Sequence, residues 1–186
     1  YYKNGDLFQY LQKNYPINKI QIITIFKKIL DIINYCHSRN IIHGDLKLEN
    51  FVMDNNFYPV LIDFENSHRI SKYQFLKNNI LNISGTIGYI SPECYLFKIG
   101  KCSDIWSLGC LLFYLNFGYS ILGDYLDMNS NMIKINDWDI LNLYMKYPKN
   151  CDKNLLDLLK KMLEPYPKKR IKLNEIFKHP YIDHFN

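Results

Sequence analysis

The sequence contains no alanine, no paired-cysteine motif and little arginine. We interpret the missing alanine as the codon bias of an AT-rich genome, which excludes no chemistry. Arginine occurs only at positions 39, 69 and 170, so lysine carries most of the positive charge behind the formal net charge of +5. Because three basic residues stand in a row only at positions 168–170, we expect no nucleic-acid partner.

The spacing of the five cysteines indicates whether the protein lies in a reducing or an oxidising compartment. No CxxC spacing links positions 36, 94, 102, 110 and 151, and the count is odd. This predicts reduced thiols and a cytoplasmic location, with the nucleus left open, and argues against a disulfide framework or a zinc site.

Charged residues interrupt the most apolar segment, residues 20–36, so no membrane span is expected. The sequence begins without Met, and we expect it to be part of a longer protein.

Hydrophobic periodicity predicts a mainly α-helical domain. Apolar residues at helical spacing predict a long buried helix over residues 18–37. A second apolar helix is predicted with Ser103 as its N-cap and Gly118 at its end. A third helix is expected over about residues 154–163 and a short one over residues 173–178.

Short apolar segments at residues 41–42, 51–53 and 60–62 predict strands, and a turn at residues 54–56 predicts a hairpin between the last two. Polar residues flank this hairpin. Asp45, Lys47 and Asn50 precede it, and Asp63 follows it. We therefore expect these four side chains to converge at one end of the hairpin.

This set of side chains suits the transfer of a phosphoryl group to a hydroxyl. A carboxylate can orient the hydroxyl and accept its proton. Carboxylate and amide oxygens can hold Mg²⁺, and a lysine can act as a point charge on the transferred group. Taken singly, Asp45 and Asp63 would be ordinary turn residues, and only their combination points to chemistry.

In order and spacing, the segment from His43 to Asn50 and the later Asp63-Phe64 resemble the catalytic and metal-binding loops of the eukaryotic protein kinase family, serine/threonine type. The resemblance continues through Gly85-Thr86, Ser91-Pro92-Glu93 and Asp104 to Arg170. It implies a protein-kinase-like fold over residues 1–186: a mainly α C-terminal lobe with a small β-hairpin and a hinge remnant at 1–6. The β-rich N-terminal lobe is absent. Residues 5–8 and 179–181 look most like the calcium/calmodulin-dependent kinase group.

The resemblance assigns roles to the polar residues. Asp45 matches the catalytic base, and Lys47 matches the lysine that contacts the γ-phosphate of ATP. Asn50 and Asp63 match the ligands of Mg²⁺. Thr86 matches the residue that bonds the catalytic Asp and Lys.

For the adenosine part of ATP, the resemblance places Tyr2 at the hinge, Val52 under the base and Asp6 near the ribose. Each has a simpler interpretation that stays open: Val52 as a core residue of a strand, and Asp6 as the cap of the helix that follows. The resemblance also makes His43 architectural, Glu93 and Arg170 a buried ion pair, and Asp104 a brace for the catalytic loop. Trp106 is expected in the core, and Cys94 and Cys110 are expected to be buried small hydrophobic residues.

The sequence departs from the family pattern at three points. It carries no glycine-rich loop and no strand lysine for the ATP phosphates, so these residues alone are expected to be inactive. Gly44 stands where an arginine usually precedes the catalytic Asp, and Glu65 stands where a glycine usually follows Asp63-Phe64. The usual phosphoacceptor position corresponds to Asn82, so we do not expect a phosphorylation switch there.

Together these features predict ATP-dependent phosphoryl transfer to Ser/Thr hydroxyls of protein substrates, with the N-terminal lobe supplied by the full-length chain. The alternative is a pseudokinase, which keeps the fold as a scaffold or binding module with little or no catalysis. A small-molecule kinase is a third interpretation. The segment from Gly85 to Glu93 argues against it, because that segment resembles a platform for peptide substrates.

Overall fold

The computed structural model describes residues 2–70, 76–77, 85–96, 98–121 and 151–183. Tyr1 of the predicted hinge remnant and Asn82, the usual phosphoacceptor position, lie outside these ranges. The described part of the chain contains α1 (Leu7–Asn14), α2 (Lys19–Ser38), α3 (Lys101–Phe117), α4 (Lys153–Met162), α5 (Leu173–Phe177) and α6 (Pro180–Asp183), with 3-10 turns at Leu48–Asn50 and Pro92–Leu96. No helix within these ranges is long and apolar enough to cross a bilayer.

The predicted long helix is confirmed as α2. Asn18 caps it: its side chain accepts a hydrogen bond from the Gln21 N–H, and the Gln21 side chain accepts one from the Asn18 N–H, both at 2.9 Å. This reciprocal pair satisfies two N–H groups that the helix itself leaves without partners. The face with helical spacing, including Phe26, Ile29 and Ile33, is fully buried.

The predicted start of α3 is wrong. The helix begins at Lys101 with Gly100 as its N-cap, so Ser103 already lies in the first turn. The Ser103 hydroxyl accepts a hydrogen bond from the Gly100 N–H at 3.2 Å and donates one to Glu93 at 3.0 Å. The predicted end is confirmed, since Gly118 adopts a left-handed conformation with φ of 77°.

The core lies between α2 and α3; α4 packs on α3, and the hairpin packs on α2. Helix α1 packs on the 3-10 turn at Leu48–Asn50 and on the hairpin. Trp106 and Phe113 of α3 and Phe26 of α2 are among its largest fully buried side chains. Gly109 lets α4 approach closely, because a Cβ there would lie 2.8 Å from a methyl carbon of Leu163. Helices α4 and α5 lie within one residue of their predicted bounds, whereas α6 was not predicted.

The strands form three antiparallel pairs in the described ranges. β1 (Ile41–Ile42) pairs with β4 (His68–Arg69), and β5 (Leu76–Lys77) pairs with β6 (Lys98–Ile99). The predicted hairpin is confirmed as β2 (Phe51–Met53) and β3 (Pro59–Leu61), with Val52 opposite Val60. Strand β3 begins and ends one residue earlier than predicted.

A second, smaller apolar cluster joins Ile42, Ile70 and Ile99, with Cys94 packed against it. Cys110 is buried as expected, whereas Cys94 is only half-buried, with its side chain against this cluster. Burial raises the pKa of the Cys110 thiol to about 12. The small cluster connects the chain beyond Asp63 to β1, directly beside the loop that begins at His43.

Candidate active site

Asp45, Lys47 and Thr86 form a closed triangle of polar contacts. The Thr86 hydroxyl donates a hydrogen bond to Oδ1 of Asp45 at 2.7 Å, and Lys47 Nζ donates one to the Thr86 hydroxyl at 2.9 Å. Lys47 Nζ also lies 3.3 Å from Oδ2 of Asp45. The Asp45 carboxylate is buried and held in one orientation next to the ammonium group of Lys47.

Asn50 and Asp63 reach the same region from the two sides of the hairpin. The Asn50 side-chain N–H donates to the Asp45 carbonyl at 2.8 Å, which leaves its amide oxygen as an acceptor. The Ile62 N–H donates to the Asn50 carbonyl at 2.9 Å, so Asp63 follows directly beside Asn50. Asp63 has a left-handed φ of 62° and an exposed side chain. This conformation is uncommon for a residue other than glycine.

Asn50 and Asp63 suit a magnesium site in which phosphate oxygens and water supply the remaining ligands. Among the described residues, no group of three or more His, Cys, Asp or Glu side chains could hold a metal ion. Mg²⁺ is commonly bound by one or two carboxylates together with phosphate oxygens and water, so a large protein cluster is not required. The exposed carboxylate of Asp63 and the amide oxygen of Asn50 are the hard oxygen ligands that such a site needs.

The residues predicted to contact adenosine lie along one edge of the hairpin. Asp6 and Val52 form an antiparallel bridge, and the Met53 N–H donates to the Gly5 carbonyl at 2.9 Å. Tyr2 precedes this bridge, and its carbonyl accepts a hydrogen bond from the Gly5 N–H. The Asp6 side chain caps α1 by accepting from the Gln9 N–H at 2.8 Å. The capping interpretation of Asp6 is therefore confirmed, while its contact with a ribose stays a prediction.

Asp104 braces the loop that carries Asp45, as expected. Its two carboxylate oxygens accept hydrogen bonds from the N–H groups of His43 and Gly44, each at 3.0 Å. The fully buried His43 ring bonds the Ile62 carbonyl at 3.1 Å and contacts the Phe64 ring edge-on. His43 is therefore architectural, because its ring connects the loop that carries Asp45 to the strand end that carries Asp63.

Gly44 and Glu65, which depart from the family pattern, have different surroundings. Gly44 has a left-handed φ of 79°, and a Cβ there would lie 2.6 Å from the Asn66 carbonyl oxygen. Any larger residue at this position would need a change of backbone. Glu65, in contrast, is exposed, and its N–H lies 3.4 Å from Oδ1 of Asp63. Its carboxylate therefore adds negative charge on the solvent side of the predicted metal ligand.

One residue near the site was not identified from the sequence. His37, near the end of α2, places its ring Nε2 2.8 Å from Oδ2 of Asp104. In the sequence, His37 stands six positions before His43, and hydrophobic periodicity assigns His37 only to the buried side of a helix.

Comparison with known proteins identifies the family. A protein kinase domain model matches residues 1–182. The serine/threonine-protein kinase ksg1 of Schizosaccharomyces pombe is 33% identical over 97% of this chain and 32% of its own length. The probable serine/threonine-protein kinase HSL1 of Saccharomyces cerevisiae is 33% identical over the whole of this chain and 12% of its own length. The dual specificity protein kinase TTK of Mus musculus is 30% identical over 96% of this chain and 22% of its own length.

The chain belongs to the protein kinase domain family, and the kinases it is similar to include several named as serine/threonine kinases. It spans about a third or less of the length of the three relatives described above. The predicted family is thus confirmed. The likeness to the calcium/calmodulin-dependent group stays a prediction.

Proposed function

We propose that these residues form the C-terminal lobe of a protein kinase that transfers the γ-phosphoryl group of ATP to Ser/Thr hydroxyls of proteins. The Asp45–Lys47–Thr86 triangle carries the proposal, because it combines a fixed carboxylate with a fixed cation. The names of the relatives support the substrate class. The rest of the full-length protein would supply the elements that cover the ATP phosphates.

In the proposed reaction, the substrate hydroxyl oxygen bonds to the γ-phosphorus of ATP while the bond to the β-phosphate oxygen breaks, giving ADP and a phosphoprotein. Asp45 orients the hydroxyl and takes its proton. Lys47 neutralises charge on the transferred group, and Thr86 holds the two side chains at a fixed separation. Asn50 and Asp63 would hold Mg²⁺, which when bound offsets the charge of the phosphates.

A pseudokinase would keep the Asp45–Lys47–Thr86 contacts without using them for phosphoryl transfer. A buried carboxylate that a hydroxyl and an ammonium group hold in place is positioned to accept the proton of a substrate hydroxyl. The relatives named above are also called kinases. Glu65 remains the feature that favours reduced activity, through its charge next to Asp63.

The test measures transfer of labelled phosphate from ATP to a generic protein substrate by the full-length protein. Asp45→Asn keeps the side-chain size and removes the proton acceptor, so transfer should fall by roughly 10²-fold or more while ATP affinity stays close to wild type. Asp31→Asn is the matched control, because Asp31 is exposed on α2. Equal activity of Asp45→Asn and wild type would reject the assignment of the base.

A further inference from the structure

Glu65 stands where the family pattern has a glycine, yet its backbone is not strained. In the described part of the chain, the residues other than glycine with a left-handed φ are Asn40, Phe57 and Asp63, and Glu65 is not among them. The conformational freedom of a glycine is therefore not needed at this position. Because the Glu65 side chain is exposed, its presence changes the charge of the loop without distorting it.

Asp63 and Glu65 lie on one tight turn. The Glu65 N–H lies 3.4 Å from Oδ1 of Asp63, and the N–H and hydroxyl of Ser67 both donate to the Phe64 carbonyl, at 3.1 and 2.6 Å. Two residues of chain span at most about 7 Å, so the turn carries its two carboxylates on Cα atoms no further apart than that. Both side chains are exposed to solvent.

The two carboxylates of this turn lack a cationic partner in the part of the chain that the structure describes. Lys47, the cation of the candidate site, donates to Thr86 and lies beside Asp45. The ion pairs among the described residues include neither Asp63 nor Glu65. The turn therefore carries two negative charges where the family pattern, with its glycine, leaves one.

This additional charge acts in opposite directions on a cation and on a nucleotide. It attracts a divalent cation towards Asp63 and repels the phosphates of ATP when no cation is present. Asn50, only 4% exposed, donates a side-chain N–H to the Asp45 carbonyl and offers its amide oxygen as the second ligand. A bound cation removes the repulsion, so cation and nucleotide raise each other's affinity by the same factor.

We infer that Glu65 sets how strongly the site depends on a divalent cation: its charge lets the cation bind at Asp63 before any nucleotide is present, and it increases the factor by which the cation raises ATP affinity. The effect on the cation rests on the charges of this turn, whereas the effect on ATP rests on the proposed function. A carboxylate at this separation should change the affinity for a doubly charged ion by roughly threefold or more when screening is weak.

The first measurement uses Mn²⁺ alone as the probe, with the full-length protein and no nucleotide, followed by electron paramagnetic resonance. The ionic strength is about 0.01 M, where the screening length is roughly 30 Å. Glu65→Gln should weaken Mn²⁺ binding by roughly threefold or more, and Glu65→Asp, which keeps the charge, should retain most of the wild-type affinity. Asp31→Asn is the matched control, because it removes one exposed carboxylate on α2 and should have no effect.

A double variant locates the effect. In a protein that already carries Asp63→Ala, the further change Glu65→Gln should alter Mn²⁺ binding little, because the ligand through which Glu65 acts is gone. The second measurement is ATP affinity with and without Mg²⁺. In Glu65→Gln the ratio of the two affinities should shrink by roughly threefold or more, while a dependence on Mg²⁺ persists because Asp63 remains.

Three results overturn the inference: no binding of Mn²⁺ by the wild-type protein without nucleotide, an unchanged Mn²⁺ affinity in Glu65→Gln, or an equal loss in Asp31→Asn. A wild-type protein that transfers no phosphate would reject the proposed function instead. Mn²⁺ binding then decides the role of Glu65 by itself, because it requires neither ATP nor activity.

Discussion

The carboxylate of Glu93 accepts two hydrogen bonds from the guanidinium of Arg170, at 2.7 and 2.9 Å, across 77 positions of sequence. Both side chains are buried, and Arg170 also donates to the carbonyls of Cys102 and Glu164. The Arg170 guanidinium lies 5.2 Å from the centre of the Trp106 ring. The ion pair therefore connects the end of the segment that carries Thr86 to the helical core.

Arg170→Met should destabilise the fold strongly, because it leaves the Glu93 carboxylate buried without its partner. A loss of about 3–5 kcal/mol in the free energy of unfolding is expected from such a change, and the double variant with Glu93→Leu should recover a large part of it. Denaturant unfolding measures both. Lys161→Met, which removes an exposed pair with Asp157, is the control and should cost less than about 1 kcal/mol. Similar losses for Arg170→Met and Lys161→Met would contradict the prediction.

Asp63→Ala should remove the dependence of nucleotide binding on magnesium. The exposed Asp63 carboxylate follows directly after Ile62, which is bonded to Asn50, and it is the charged member of the predicted pair of ligands. ATP affinity of the full-length protein, measured with and without Mg²⁺, tests this. Glu65→Gln serves as the control and should retain the dependence. A wild-type protein whose affinity ignores magnesium would instead favour the pseudokinase interpretation.

Glu49 and Asp6 should favour basic residues on the N-terminal side of the acceptor in peptide substrates. Glu49 is exposed in the 3-10 turn between Lys47 and β2. Burial raises the pKa of Tyr89 and Tyr114, and the negative charge of Glu49 raises both further. A peptide-library screen should show a modest preference for Arg or Lys that Glu49→Gln reduces. A preference for acidic or proline-directed sites that Glu49→Gln leaves unaltered would reject the assignment.

The full-length protein should not be switched on by phosphorylation at the usual site in the segment from Asp63 to Glu93. In many kinases an arginine before the catalytic Asp binds a phosphorylated residue of this segment and orders it. Gly44 has no side chain for this purpose, and the space where a Cβ would begin is filled by the Asn66 carbonyl. Phosphatase treatment should therefore leave the activity of the full-length protein largely intact. A large loss that phosphorylation at a single site between residues 67 and 84 restores would show that such a switch exists.

Local pattern in the sequence was sufficient to predict α2, the end of α3, α4, α5 and the hairpin. Repeats of apolar residues predicted α2 and the end of α3 at Gly118, because helix periodicity and the left-handed preference of glycine act over a few residues. The same applies to the candidate site: Asp45, Lys47 and Asn50 share one short loop, and their order alone resembles the family. Asp6 as a helix cap was also visible as an alternative.

Tertiary structure decided what depends on distant partners. Ser103 looks like an N-cap locally, yet the helix begins earlier, and the hydroxyl bonds Glu93 instead. The bond between His37 and Asp104 spans 67 positions and exists only because α2 and α3 pack side by side in the core. No periodicity encodes such a pair, since its geometry follows from how two complete helices meet. The sequence alone determined which chemical groups are present, and packing determined which of them hold the catalytic loop in place.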